Sequence, residues 1–417
     1  MGTAAPTSLA GADWLAAPNV RRLFAVLSGG GEEARIVGGA VRNALLGAPV
    51  ADVDFGATAT PGTVTARAEA AGFKVVPTGI EHGTVTVIAG ADSYQVTTLR
   101  EDIETDGRHA VVRFGRDWEA DARRRDFTVN ALSVDAEGTV RDPVGGYDDI
   151  VAGRIRFIGD ADRRIAEDRL RILRFFRLFA EHGRGDIDRD GLSAAVRARA
   201  GLRDLSAERV GQEMRRLVVA PRAAETVAIM QEVGILPVVL GGVGYPLVFA
   251  RLAGLDAGVA AAPAPALRLA ALACRVEEDV ARVARRLRLA NAERDRMAAA
   301  LAAASASVPR PDQRGARRLL YRVGVAAYRD GVALAAAWSG ASPDDAGRWR
   351  DLLTLPDRWS PPRFPLAGRD IVGAGAPPGP AVGAVLRAVE AWWIERDFAG
   401  DEAALKARAH EIMAGQQ

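Results

Sequence analysis

The rhythm of apolar and polar positions changes once along this chain. Up to about Asp142, short apolar runs alternate with helical stretches; from about Arg163 onward helical periods dominate and strand signals almost vanish. Asp13 to about Ser28 predicts one amphipathic helix. After Gly29-Gly30-Gly31, an apolar strand around Ile36 runs into Gly38-Gly39 and a second helix. Thr63 to Gly72 predicts a helix stopped by glycine. Gly83 to Ile88 and Tyr94 to Leu99 alternate β-branched residues and predict strands. Arg100 to Ala120 is charged and aperiodic and reads as a mobile loop, and residues 1–12, small and polar, read as disordered. Breaks at Pro221, Pro237 to Pro246, Pro263 to Pro265, Pro309 to Pro311 and Trp359 to Pro365 divide the helical remainder. The pattern predicts an α/β N-terminal part followed by an all-α remainder.

At 417 residues the chain exceeds one ordinary core, which implies two to four domains. The net charge is +2, yet the only lysines are Lys74 and Lys406, so the cations are almost all arginine, the residue best suited to phosphate and base edges. One cysteine, Cys274, excludes an internal disulfide framework and a cysteine-rich zinc site; in its Ala/Leu-rich surroundings it reads as a buried apolar residue. Four histidines argue against a multi-histidine metal site. No apolar run reaches about 18–20 residues and no secretory signal opens the chain, so the expectation is a cytoplasmic protein without a membrane span.

Three segments carry chemistry. Glycines at Gly38-Gly39 let backbone approach a phosphate, and the following helix start favours an anion. Asp52 and Asp54, two apart on an expected strand, aim two carboxylates at one point, a donor set suited to Mg²⁺ held together with substrate phosphates. Alone, a glycine pair is more often a turn and an Asp-x-Asp more often a solvated loop. The second segment, Asp121 to Leu132, sets Arg123, Arg124 and Arg125 between Asp121 and Asp126; it reads as a solvated charge run or as donors for phosphates and ribose hydroxyls, with Asp126 equally able to orient Arg124 or Arg125. The third, Glu167 to Arg177, reads as one helix with Leu170, Leu173 and Phe176 facing a core and Asp168, Arg171 and Arg174 sharing another face. An i,i+3 salt bridge is the plain account of that face. A sharper one is that an acceptor beside a donor matches the amino group and adjacent ring nitrogen of cytosine and adenine, and mismatches guanine and uracil.

Gly38-Gly39-x-Val41-Arg42, Asp52-x-Asp54, Arg124-Arg125-Asp126-Phe127-Thr128-x-Asn130-Ala131, Asp142-Pro143-x-Gly145-Gly146, Glu167-Asp168-x-x-Arg171 and Ser206-x-Glu208-Arg209-x-x-x-Glu213-Met214 occur in that order. Together they resemble the bacterial class II tRNA nucleotidyltransferase / poly(A) polymerase family, densely over residues 20–240 and thinly beyond, where Gly368-Arg369-Asp370-Ile371 and Pro378 to Gly383 resemble its tail. The resemblance implies a loosely packed N-terminus at 1–20, a polymerase-β-like nucleotidyltransferase head at 21–150, a neck with a base-reading helix at 151–220, and a tRNA-binding helical body and tail at 221–417. It implies that Asp52 and Asp54 are the catalytic pair and hold two Mg²⁺ ions. Gly38, Gly39 and Arg42 would cradle the triphosphate, and Asp121, Arg124 and Asp126 would meet ribose or phosphates. Asp168, Arg171 and Arg174 would read the base, Arg177 would contact RNA, and the segment after Arg100 would be the family's flexible loop. Substrates would be CTP, ATP and tRNA, with no protein partner implied. Two departures stand out: Asn43 where the family usually has Asp, expected to cap or orient the helix, and Gln95 where many members have an acid. Residues 151–220 hold 16 arginines against 11 acids, a modest basic stripe for an RNA backbone. Trp392-Trp393 reads as core. The expected activity is CCA addition; a CC-adding, A-adding or poly(A) polymerase of the same family, or a catalytically silent RNA-binding protein, are the alternatives.

Overall fold

The computed structural model describes residues 8–80, 83–106, 109–256, 264–340 and 343–415. It divides into two compact units, Met1–Leu240 and Gly241–Gln417. No helix among the described residues is long and apolar enough to cross a membrane.

The first unit begins with α1 (Asp13–Ala16) and α2 (Pro18–Leu27), then β1 (Ala34–Val37), α3 (Gly39–Leu45), β2 (Asp54–Ala57), α4 (Pro61–Ala70), β3 (Lys74–Gly79), β4 (Thr84–Ala89) and β5 (Asp92–Thr98). There follow β6 (Arg100–Asp106), β7 (His109–Phe114), α5 (Trp118–Arg123), β8 (Ser133–Val134) and β9 (Val140–Arg141). Seven strands form one mixed sheet in the order β3-β4-β5-β2-β1-β8-β9. β2 runs parallel to β5, with Phe55 opposite Val96, and antiparallel to β1, with Asp54 opposite Val37. Alternation along β2 sorts its side chains: Phe55 and Ala57 are fully buried in the core, where Phe24 of α2 meets Phe55 edge-on at 4.9 Å. Asp54 and Gly56 therefore point to the other face.

Four local expectations are corrected. The helix expected over Asp13 to Ser28 is two helices, because Pro18 forces Ala17 out of helical geometry (ψ 134°). Residues 8–12 are ordered: Ser8 bridges Thr139, and the Leu9 N–H donates to the Gly138 carbonyl at 2.6 Å; residues 1–7 of the expected disordered tail lie outside the described residues. The expected loop after Arg100 is the antiparallel pair β6–β7 followed by α5. Asp52 lies outside regular structure, just ahead of β2.

The unit continues as α6 (Gly146–Ala152), α7 (Ala161–Glu167), α8 (Arg171–His182), α9 (Arg189–Ala198), α10 (Ala207–Leu217), α11 (Ala223–Glu232) and α12 (Ile235–Leu240). The helix expected over Glu167 to Arg177 is interrupted: Asp168 is extended (φ −153°, ψ 107°) and α8 starts at Arg171. Phe127, Phe157 and Phe175 stack at 4.7–6.3 Å and bind α8 to the sheet side, each ring removing large apolar area from water. Asp149, almost wholly buried, reinforces this joint by accepting from the Thr128 hydroxyl and Arg156 Nε, both at 2.6 Å.

Among the described residues, the regular elements of the second unit are all helices. Its longest helix, Gln313–Ser339, breaks at Gly324 (φ 76°, ψ 169°). Before the break Tyr321 packs on a core around Val389 and Trp393; after it the Tyr328 hydroxyl donates to the Leu352 carbonyl at 3.0 Å. Trp393 and Cys274 are buried as expected, and burial pushes the Cys274 thiol up to about 12, which leaves it inert.

The Asp142-Pro143-x-Gly145-Gly146 segment is a helix start. Asp142 accepts from the Gly146 and Tyr147 N–H groups at 2.8 and 2.9 Å, and a Cβ on Gly146 would stand 2.2 Å from the Thr128 carbonyl oxygen. Gly146→Ala is therefore expected to cost about 1–3 kcal/mol of stability in urea unfolding of the full chain, by pushing on backbone that cannot yield.

Candidate active site

A cavity of about 720 Å³ opens on the sheet face that carries Asp54 and reaches across to α8 and α10. All the expected site residues except Asp121 line it. Its shape follows from three supports: the β1–α3 turn, the segment after α5, and the irregular corner before α8.

At the turn, Gly38 sits at φ 76°, ψ −129°, a conformation open to glycine, and its carbonyl accepts from the Arg42 N–H at 3.2 Å. α3 is only two turns long, so its dipole supplies little field; the arginines beside it supply the charge. Arg42 is mostly buried and is held by Asn43 Oδ1, which accepts from its Nη2 at 2.9 Å, and by Asn130 Oδ1. Asn43 thus orients Arg42, while its own amide donates to the Pro49 carbonyl at 3.1 Å. Burial lowers the Arg42 pKa to about 10, which leaves the guanidinium charged at neutral pH.

Arg124 and Arg125 follow α5 and are both gripped by Asp121, which is buried and accepts from Arg124 Nε at 2.8 Å and Arg125 Nη2 at 2.9 Å. Burial alone would raise the Asp121 pKa; Arg125 and Arg124 outweigh it and hold the carboxyl low. Both Asp121 oxygens are occupied by these arginines, so Asp121 positions donors and does not meet ribose or phosphate itself. Asp126 orients neither: it pairs with Arg174 of α8 at 2.8 Å and accepts from the Phe127 N–H at 2.9 Å.

Asp54 opens onto the cavity, yet the walls displace much of its water. Burial first, then the Asp52 charge, raises its pKa against the opposing pull of Arg125. Asp52 and Asp54 thus do converge, although Asp52 sits on irregular chain. Gln95 is the β5 neighbour of Asp54: Phe55 pairs with Val96, so the residue before each stands side by side on the cavity face.

Asp168 and Arg171 line the same cavity, each fixed by a separate partner. Asp168 accepts from the Leu170 N–H at 3.0 Å and from Arg209 of α10 at 2.6 Å. Arg171 spends Nη1 on Glu167 at 2.5 Å and the Arg164 carbonyl at 2.7 Å, leaving Nε and Nη2 without a hydrogen-bond partner among the described residues. Arg174 is tied back to Asp126 as described. Arg177, expected to contact RNA, lines the cavity but is only 5% exposed and is held between Glu213 at 2.5 Å and Glu181 at 2.6 Å. Arg216 is the exposed cation at that end, 3.2 Å from Glu181. His182, buried among Arg42, Arg177 and Arg216, is pushed down to about 3 and stays neutral. Sequence reasoning missed Asn130 and Glu167 as supports; Asn130 lies 88 residues from Arg42 and carries no local signal, whereas the i,i+4 spacing of Glu167 and Arg171 could have revealed their pairing.

A nucleotidyltransferase is the class these groups define: a glycine turn with arginines for phosphates, a carboxylate pair, and a donor–acceptor pair facing them. The Poly A polymerase head domain model matches residues 34–156. The mitochondrial CCA tRNA nucleotidyltransferase 1 of Mus musculus is 32% identical over 385 residues, covering 87% of this chain and 82% of its own length. The CCA-adding enzyme of Geobacillus kaustophilus is 34% identical over 376 residues, covering 86% of this chain and 88% of its own. The crystal structure of Bacillus stearothermophilus CCA-adding enzyme in complex with CTP superposes with a TM-score of 0.72 at 29% identity, covering 95% of this chain and 97% of that one. The chain belongs to the CCA tRNA nucleotidyltransferase family.

Asp121 and Asp54 are shifted in opposite directions. Asp121 has a lowered carboxyl pKa and stabilises the fold above the unfolded carboxylate value near 4, an effect lost as pH falls through its folded value. Asp54, raised, costs stability once pH climbs through its folded value, and nothing below about 4. In thermal melts near pH 7, Asp121→Asn is expected to lower Tm by roughly 4–8 °C and Asp54→Asn to raise it by roughly 1–2 °C, both differences shrinking below pH 4.

Proposed function

We propose that this chain adds CCA to tRNA 3′ ends from CTP and ATP, without a nucleic-acid template and with release of pyrophosphate. The observation that carries this reading is the convergence in one cavity of Gly38, Arg42, Asp52, Asp54, Asp168 and Arg171, groups drawn from segments more than 100 residues apart. In this reading residues 21–150 are the catalytic head, 151–220 the neck, and 221–417 the tRNA-binding body and tail. The arginine excess over residues 151–220 suits an RNA backbone.

The donors fit Mg²⁺. Asp52 and Asp54 offer only oxygen, and the raised Asp54 pKa, set by burial first and by the Asp52 charge second, marks a carboxylate whose ionised form a divalent cation would stabilise. When bound, such ions lower the cost of ionising the attacking hydroxyl and neutralise the triphosphate. The chain's own groups do the rest. The Gly38-Gly39 backbone leaves room for phosphate oxygens, and Arg42, Arg124 and Arg125, each preset by an Asn or Asp, spread positive charge along them. Asp168 accepts the amino proton of cytosine or adenine, while Arg171 donates to the adjacent ring nitrogen. Guanine and uracil would set a carbonyl against the carboxylate and a ring N–H against the guanidinium, so that acceptor meets acceptor and donor meets donor.

Purified protein with Mg²⁺ and a tRNA transcript ending before CCA is expected to add CC with CTP alone and CCA with CTP and ATP. Arrest at CC with both nucleotides would identify a CC-adding enzyme, and long A tracts a poly(A) polymerase. No extension of any acceptor would sink the enzyme reading and leave the silent RNA-binding alternative. Asp54→Ala should lower kcat by at least about 10³-fold while tRNA binding in a filter assay is retained. Arg171→Ala should narrow the preference for CTP over UTP by about 10-fold or more; unchanged selectivity refutes its role.

A further inference from the structure

The two flanks of Asp54 differ in charge. On the β1–α3 side stand Arg42, Arg124 and Arg125, the cations already assigned to the triphosphate. On the β5 side the same face carries Gln95 beside Asp54 and Thr97 beside Gly56, with Thr84 of β4 behind them. These are uncharged polar groups; Arg100, at the start of β6, also lines the cavity and lies near enough to Arg124 to act on its charge. The Thr84 and Thr97 hydroxyls satisfy one another at 3.0 Å. Gln95 is exposed to the cavity, and its carboxamide makes no hydrogen bond among the described residues. A side chain with two donors and an acceptor, standing next to the reactive carboxylate, is thus left available to a ligand.

We propose that Gln95 binds the terminal ribose of the RNA acceptor, its carboxamide hydrogen-bonding the vicinal 2′ and 3′ hydroxyls, and so makes the site select a ribose-ended strand. This rests on the nucleotidyl-transfer reading, which needs a triphosphate on one side of the carboxylates and a hydroxyl on the other. The arginine side suits the polyanion. The Gln95 side offers no cation in contact with Asp54 from its own strand, and it matches a neutral diol in both donor and acceptor. A glutamine also cannot add a third negative charge beside Asp52 and Asp54, so in this chain the β5 position serves the sugar and not the metal. The 2′ hydroxyl, donor and acceptor at once, is the group by which a protein tells RNA from DNA at a given nucleotide.

The test compares RNA minihelices ending before CCA with the same strands carrying a 2′-deoxy terminal nucleotide, using the full chain, Mg²⁺ and CTP. The wild type is expected to favour the ribose end by about 10-fold in kcat/KM. Gln95→Leu, similar in volume, should raise KM for the ribose-ended acceptor by about 10-fold and erase the discrimination, with KM for CTP and the thermal melt unchanged. Equal discrimination in Gln95→Leu and wild type overturns the proposal. Gln95→Glu separates it from a metal role. Retained ribose preference at an unchanged Mg²⁺ requirement supports sugar binding. A lowered Mg²⁺ requirement with ribose preference lost assigns the position to the metal and overturns it. A wild type that extends neither acceptor fails the parent reading instead, a result distinct from either.

Discussion

The site depends on the joint that fixes α8 against the sheet. A base can be read by side chains only if the reader stands at a set distance from the reacting phosphate. That distance spans Asp54 on one element and Asp168 and Arg171 on others far along the chain. Phe127, Phe157 and Phe175 close the joint by burial, and the Asp126–Arg174 pair and the Asp149 cluster lock its orientation. Burial is non-directional and sets only proximity; the ionic contacts, short and angular, set register. Both draw on one stretch, Arg124 to Thr128, which turns from cavity-lining arginines to core phenylalanine within a few residues.

In and around the cavity, carboxylates do two opposed jobs. Asp121, Glu181 and Glu213 lie against guanidiniums and neutralise them, so those arginines are immobile and partly spent. Asp52 and Asp54 lie beside each other without such partners and keep their repulsion. The contrast separates scaffolding charge from reactive charge. Arg177 belongs with the first group despite its place in an arginine-rich helix, and neutral His182 reflects burial first and the surrounding cations second.

Much of this was legible in the sequence where the signal is chemical and local. Gly38-Gly39, the Asp52/Asp54 pair and the Asp168/Arg171 pair were readable because few residue types can do those jobs. The change from alternating to helical rhythm gave the order of the α/β and all-α parts. What failed did so for identifiable reasons. Pro18 splits a helix whose apolar spacing continues straight through it. The β6–β7 pair has too few apolar residues to register as strands. The break at Asp168 is invisible because Leu170, Leu173 and Phe176 keep helical spacing across it. Partner choice was least legible: Asp121 and Asp126 flank the same three arginines, and nothing in their spacing says which one reaches forward to α8.

The separate anchoring of Asp168 and Arg171 has an evolutionary consequence. Asp168 leans on Arg209, and Arg171 on Glu167 and the Arg164 carbonyl. Neither holds the other. In the base-reading role proposed above, substitution of one partner would leave the anchor of the other in place, so the two halves of that recognition would be independently editable, a modularity that a directly paired Asp and Arg would not allow.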